Sequence, residues 1–209
     1  MAPPRPVQLP NPPSAALPRH SGQPYSRLYN ATLAAHRAWS AAQAECLRDN
    51  LVTCVYINAA WHELLRDGLS RPRLLTFHAR HKYLLLASDP RAYRALGRLL
   101  ADLDAQPLPQ LATRYFSALL VALRHCPSRG AHANVLQHLS GYLKRALDPV
   151  DKAELHRLID AYGAGDLPLA VPLRRLKQHF QRHPHPYIAQ QVYLQPYPDR
   201  LDLRSPNHA

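Results

Sequence analysis

A chain of 209 residues has room for one domain with its own core plus a tail, and it contains no uninterrupted apolar run of bilayer length. It carries 26 Lys and Arg against 14 Asp and Glu, a formal net charge of +12, which points to polyanionic partners, nucleic acid before acidic protein or anionic lipid. Seven glycines, 21 prolines and a middle dominated by Ala, Leu and Arg disfavour sheets and predict an all-α fold, a single multi-helix, bundle-like domain.

The chain divides into three stretches. Residues 1–25 are rich in proline, carry Arg5 and Arg19 and lack any acid; they cannot form a core and read as a disordered or polyproline-like tail, without the apolar centre of a signal peptide. Residues 26–44 read as a flanking helix, and 45–204 as the helical domain. In the domain, Glu45–Arg66 forms the first helical region, with a break expected near Thr53–Cys54. The one strand candidate, Leu51–Ile57, lies inside it. Asp67-Gly68 ends that region by the usual C-terminal glycine logic.

Ser70–Ala87 is the stretch around which the domain is organised. Ser70 is placed to cap a helix and Pro72 falls in its first turn, where a missing N–H costs least. On a 3.6-residue period Leu74, His78, His81 and Leu85 share one stripe, so both imidazoles are expected to be buried with partners or to line a site. Asp89-Pro90 starts the next helix, to Leu103. Its Tyr93, Leu96, Leu99, Leu100 and Leu103 are expected to point inward, and Arg91, Arg94 and Arg98 to form a basic stripe outward.

Pro107–Cys126 gives another helix, then a turn at 127–130. His132–Leu147 comes next, with a clean apolar face of Val135, Leu136, Leu139, Tyr142 and Leu143. Opposite it stand Asn134, His138, Gly141 and Arg145. A mid-helix glycine is disfavoured, so Gly141 suggests close approach by another backbone or by a ligand. Asp148-Pro149 opens a helix that Gly163-Ala164-Gly165 closes. An extended connector, 167–172, leads into Pro172–His183, whose Arg174, Arg175, Lys177 and Arg182 face out with no acid among them. The aromatic, proline-rich finish is expected to lie against the domain with its tyrosines half-buried.

Cys46, Cys54 and Cys126 are odd in number and lack metal-ligand spacing. They read as ordinary thiols in a reducing cytoplasm rather than as a zinc ribbon or disulfide framework.

Several segments together carry a resemblance. They are Leu47-Arg48-Asp49-Asn50, Trp61, the run from Phe77-His78 through His81-Lys82-Tyr83 to Ala87, and His132-x-Asn134-Val135-Leu136-x-His138-Leu139-x-Gly141-Tyr142. Pro168-Leu-x-Val-Pro172-Leu and Tyr193-Leu-x-Pro196-Tyr197-Pro198 complete the set. In this order, over roughly residues 45 to 204, the chain resembles the YbgA-like family, a helical domain of unknown function. It differs from that pattern at Ser88, where histidine is common, and at Gly130-Ala131, where Lys-Asn is common. Members occur alone or fused behind an iron–sulfur desulfidase-type domain that removes sulfur from thiolated uracil. The resemblance therefore implies a stand-alone accessory domain that helps hold tRNA.

The sequence supports three functional readings. The first is a non-catalytic, cytoplasmic module that binds tRNA or another structured RNA and supports thiouridine desulfuration by a separate enzyme. Arg71, Arg73, Arg80, Lys82, Arg91, Arg94 and Arg98 would contact phosphates, with Arg129, Lys144, Arg145, Arg174, Arg175 and Lys177. Asn134 and His138 would add hydrogen bonds. The second is an enzyme or metal site built on His78, His81, His132 and His138; against it, no carboxylate sits near these histidines in sequence. The third is a protein-interaction module that docks to a desulfidase-type or other separate enzyme through the flanking helix and the proline-rich tail. No cofactor and no membrane partner are expected.

Overall fold

The computed structural model describes residues 41–102 and 106–198, and every regular element among them is helical. The expected tail, most of the flanking helix and the far C-terminus lie outside the described residues. Helix α1 spans Ala41–Arg66, α2 Arg71–Ser88, α3 Pro90–Ala101 and α4 Leu108–Ala122. Helix α5 spans Arg129–Ser140 and tightens into a 3₁₀ turn at Gly141–Leu143. Then come α6 (Pro149–Ala164), α7 (Ala170–Arg182), the single turn α8 (Pro186–Ala189) and a second 3₁₀ turn, Val192–Leu194. No described helix is long and apolar enough to cross a membrane.

Local chemistry sets most boundaries. The Ser70 hydroxyl accepts the Arg73 N–H, the Asp89 carboxylate accepts those of Arg91 and Ala92, and Asp148 accepts that of Asp151. Each cap satisfies donors that the first helical turn leaves orphaned, and each is followed by proline within two positions. Gly68 (φ +99°) and Gly165 (φ +101°) close α1 and α6 in the left-handed region, where a Cβ would be strained.

Three expectations need correcting. Helix α1 runs unbroken through Thr53–Cys54 and through the strand candidate: Thr53 and Ile57, one turn apart, are both buried, so β-branched residues serve its inward face. The connector before α7 is shorter than expected. Helix α7 begins at Ala170 and carries Pro172 in its first turn, where no intrahelical donor is required. The stretch 132–147 is not one helix. Helix α5 stops at Ser140, whose hydroxyl donates to the Gln137 carbonyl, and the chain continues through 3₁₀ and turn geometry to Leu147.

Helix α2 is the central element, packed against α3, α4, α5 and the last 3₁₀ turn. That is why it buries residues on several sides: Leu74, Phe77, His81, Tyr83, Leu84, Leu85 and Ala87. Each fully buried leucine contributes about 1.5–3 kcal/mol relative to exposure. Trp61 of α1 stacks on Phe116 of α4, with centroids 4.5 Å apart, and meets Phe77 edge-on at 5.2 Å. Helices α5, α6 and α7 form the other side of the core, with Val135, Leu136, Leu139, Leu155, Ile159 and Leu176 buried among them.

The C-terminal segment is more deeply seated than expected. Tyr193 is fully buried, Tyr197 nearly so, and the Tyr197 hydroxyl donates to the Asp49 carboxylate of α1. The cysteine expectation is overturned as well: Cys46 and Cys126 are joined in a disulfide, leaving Cys54 free. Asn50, one turn along α1, donates to the His125 carbonyl, which brings α1 and the α4–α5 loop together. The separation of 80 positions hides this pairing from any spacing rule.

Candidate functional site

The histidine stripe resolves into two environments. His81 is buried, and its Nδ1 donates to the Phe77 carbonyl at 2.7 Å while the ring stacks on Phe77. Burial pulls its pKa down to about 4, against the opposing pull of the carbonyl, so the ring is neutral. His78 is half-buried, 3.2 Å from the Tyr115 hydroxyl through Nδ1 and parallel to the Tyr93 ring. Burial and then the Lys82 charge lower its pKa.

His132 is tied to the Tyr193 hydroxyl at 2.8 Å, and His138 stands in solvent. The four histidines of the metal or enzyme reading therefore occupy separate settings. Among the described residues no three His, Cys, Asp or Glu side chains are grouped to hold a metal.

Linked to His78 through Tyr93, the structure assembles a tyrosine cluster that spacing alone does not reveal. Tyr83 of α2 donates to the Tyr142 hydroxyl of the 3₁₀ turn at 3.2 Å. Tyr142 stacks against Tyr187 of α8 at 5.9 Å and meets His185 edge-on at 4.9 Å. Lys82 lies 5.1 Å from the Tyr83 ring centre. Burial raises the Tyr83 phenol, helped by the hydrogen bond to Tyr142 and by the Tyr142, Tyr187 and Tyr93 phenols. Tyr187 is raised by burial and by Tyr142 and Tyr93. Tyr83 and Tyr187 are thus held neutral rather than poised as bases, and Tyr83, buried, serves the cluster through its hydrogen bond to Tyr142. Beside them His185 Nδ1 and Gln191 Oε1 are buried without hydrogen-bond partners. Tyr142, at 37% exposure, is the outer edge of the cluster.

The sequence-derived cations sort by what they touch. Arg73 is a structural clamp: it donates to the Asp67 carbonyl, and to that of Gly68 at 3.2 Å. Arg129 donates to the Tyr162 and Leu167 carbonyls and lies over the Tyr162 ring. Arg175 corrects the expectation of an acid-free stripe. It pairs with Asp151 at 2.9 Å and Glu154 at 2.5 Å, both supplied by α6. Lys177 is half-buried, and Arg71 is exposed beside the α1–α2 turn.

Arg80, Arg91, Arg94, Arg98, Lys144, Arg145 and Arg174 are exposed, as are Asn134 and His138, and Lys82 is half-buried. Among the described residues no acid pairs with Arg80, Lys82, Arg91, Arg94, Arg98, Lys144 or Arg145. Tyr83, Tyr93, Tyr142 and Tyr187 are absent from the sequence-derived site. Their signal is their position next to candidates: Tyr83 follows Lys82, and Tyr142 follows Gly141.

Comparisons with known proteins identify the family. Residues 82–198 match the family model described as a protein of unknown function (DUF1722). The chain is also 35% identical over 144 residues to the uncharacterized protein YbgA of Escherichia coli (strain K12), covering 68% of this chain and 85% of that protein. The chain belongs to this YbgA-like family. No solved structure matches it.

Proposed function

We propose that the domain is an RNA-binding accessory module, for tRNA or another structured RNA, that supports thiouridine desulfuration by a separate enzyme. One observation carries the reading: the exposed, acid-free cations Arg80, Arg91, Arg94 and Arg98 belong to the two helices that supply Tyr83 and Tyr93 to the tyrosine cluster. Cations neutralise phosphates without regard to sequence, and the exposed ring of the cluster, Tyr142, is available to stack on unpaired bases, which structured RNA displays and duplex DNA does not. The link to desulfuration rests on the family resemblance alone.

A filter-binding titration with total tRNA and a duplex DNA control, at two salt concentrations, tests it. Tighter tRNA binding is expected, with a steep salt dependence that charge reversal at Arg80 and Lys82 reduces. Equal, weak binding to both polymers would reduce the charge to a generic property.

A second reading, docking to a protein partner, is favoured by one feature. Leu51 and Val55, one turn apart on α1, are 67% and 59% exposed. The flanking helix, residues 26–44, lies mostly outside the described residues. Co-purification with a desulfidase-type enzyme, lost on Leu51→Glu, would support this reading.

A further inference from the structure

Gly141 has no reason internal to the fold to be glycine. Its backbone is ordinary right-handed helix (φ −57°, ψ −27°), and a Cβ there would meet no atom within 4 Å. Glycine is disfavoured in such a setting and persists where φ is positive or where a neighbour comes close. Neither applies among the described residues, so no close packing there accounts for Gly141.

What Gly141 borders is open space. A groove of about 450 Å³ runs between the α5–3₁₀ junction and α6, within the ~300–1,000 Å³ typical of small-ligand sites. Gly141 also borders a second, more open hollow of about 420 Å³, shared with Tyr142, Lys144 and Arg145. Leu143, Leu155 and Ile159 seal its bottom almost without exposure, the surface it opens is more apolar than polar, and Lys144 and Lys152 stand among the groups that line it. Gln137 and Asp160 line it too, one able to donate and accept hydrogen bonds and the other to accept from an amino group.

We propose that this groove receives one unpaired nucleotide of the bound RNA, admitted past the bare backbone of Gly141. The proposal rests on the RNA reading above and names the part of the RNA that this face takes. A base is flat and apolar on its faces and polar at its edge, matching a mostly apolar lining that also holds Gln137 and Asp160. The chain leaving it is anionic and passes Lys144 and Lys152. A wholly apolar ligand would leave those two cations without a partner, and a bare phosphate would leave the apolar lining of the groove in water.

The test compares two RNAs of equal length, a fully paired stem and a stem with an unpaired loop, against the full chain. Wild type is expected to bind the looped RNA more tightly. Gly141→Leu, whose side chain would fill the groove mouth, weakens that binding about tenfold, the order of one lost base-stacking contact, and spares the paired stem. Gly141→Ala raises the thermal midpoint, since the fold does not use the glycine. Lys152→Glu is the second variant and decides alone if Gly141→Leu does not fold; it should weaken the looped RNA more than the stem.

Unchanged binding of looped RNA by a folded Gly141→Leu overturns the groove assignment and leaves the RNA reading standing. Absence of salt-dependent binding of either RNA by wild type overturns both. Binding of a glutamate-rich peptide that Gly141→Leu abolishes would assign the groove to a protein partner and overturn the nucleotide.

Discussion

The hydroxyl of Tyr197 donates to the carboxylate of Asp49 across 148 positions of chain, closing the C-terminal segment onto the first described helix. Tyr197 is 6% exposed and Asp49 half-buried, so this hydrogen bond to a carboxylate is largely shielded from water. Tyr197→Phe should destabilise the domain by about 1.5–3 kcal/mol, the range for a hydrogen bond to a charged group. The urea midpoint of the purified variant measures this; a midpoint equal to wild type would assign the contact no energetic role.

Acid should weaken the fold through His81. Its folded pKa, about 4, lies below its ordinary value of 6.5, so between these limits the unfolded chain binds more protons. The contribution is fully present above pH 6.5 and is lost as pH falls toward 4, in all about 3 kcal/mol at ~1.4 kcal/mol per unit. His78 and His179, also lowered chiefly by burial, act in the same direction. Urea midpoints from pH 7 to pH 4 should fall for wild type, and less steeply for His81→Gln.

Two classes of arginine should separate cleanly in the tube. Arg175→Ala removes the pairing with Asp151 and Glu154 and should cost about 1 kcal/mol of stability while leaving the salt dependence of RNA binding unchanged. Arg94→Glu with Arg98→Glu should leave the urea midpoint within about 0.5 kcal/mol and lower the log–log salt slope by about 2. If Arg175→Ala alters the slope instead, the division between structural and contact cations is wrong.

Thiol counting checks the disulfide. Native protein should expose one reactive thiol, Cys54, and three after reduction and unfolding. Because the bridge closes a loop of 80 positions, Cys126→Ser should lower stability by about 2–4 kcal/mol under oxidising conditions and have little effect in reductant.

The features legible in the sequence are local ones. Ser70, Asp89, Asp148, Gly68 and Gly165 each act on residues within four positions, and each boundary they imply is where the structure has it. The stripe Leu74–His78–His81–Leu85 is legible too, because one helix repeat places those residues together without reference to any other element.

Contacts between elements are not legible. Arg175 faces outward on α7 only until α6 supplies Asp151 and Glu154. Asn50 says nothing of His125, nor Tyr142 of Tyr83, until the helices are docked. The end of α5 escapes sequence reasoning for a subtler reason. Val135, Leu139 and Leu143 keep the apolar pattern going, and a 3₁₀ turn buries Leu143 as readily as another α turn would.

The strap that runs from α8 to Tyr197 also sets an order of events during synthesis. At about 5–20 residues per second, Asp49 is made some 7–30 seconds before the tyrosine that completes its contact. Gln191, which donates to the Ala79 carbonyl of α2, arrives nearly as late. The central helix and the one before it must therefore leave the ribosome with part of their final covering still untranslated. For that interval the nascent chain presents these surfaces to whatever waits at the tunnel exit.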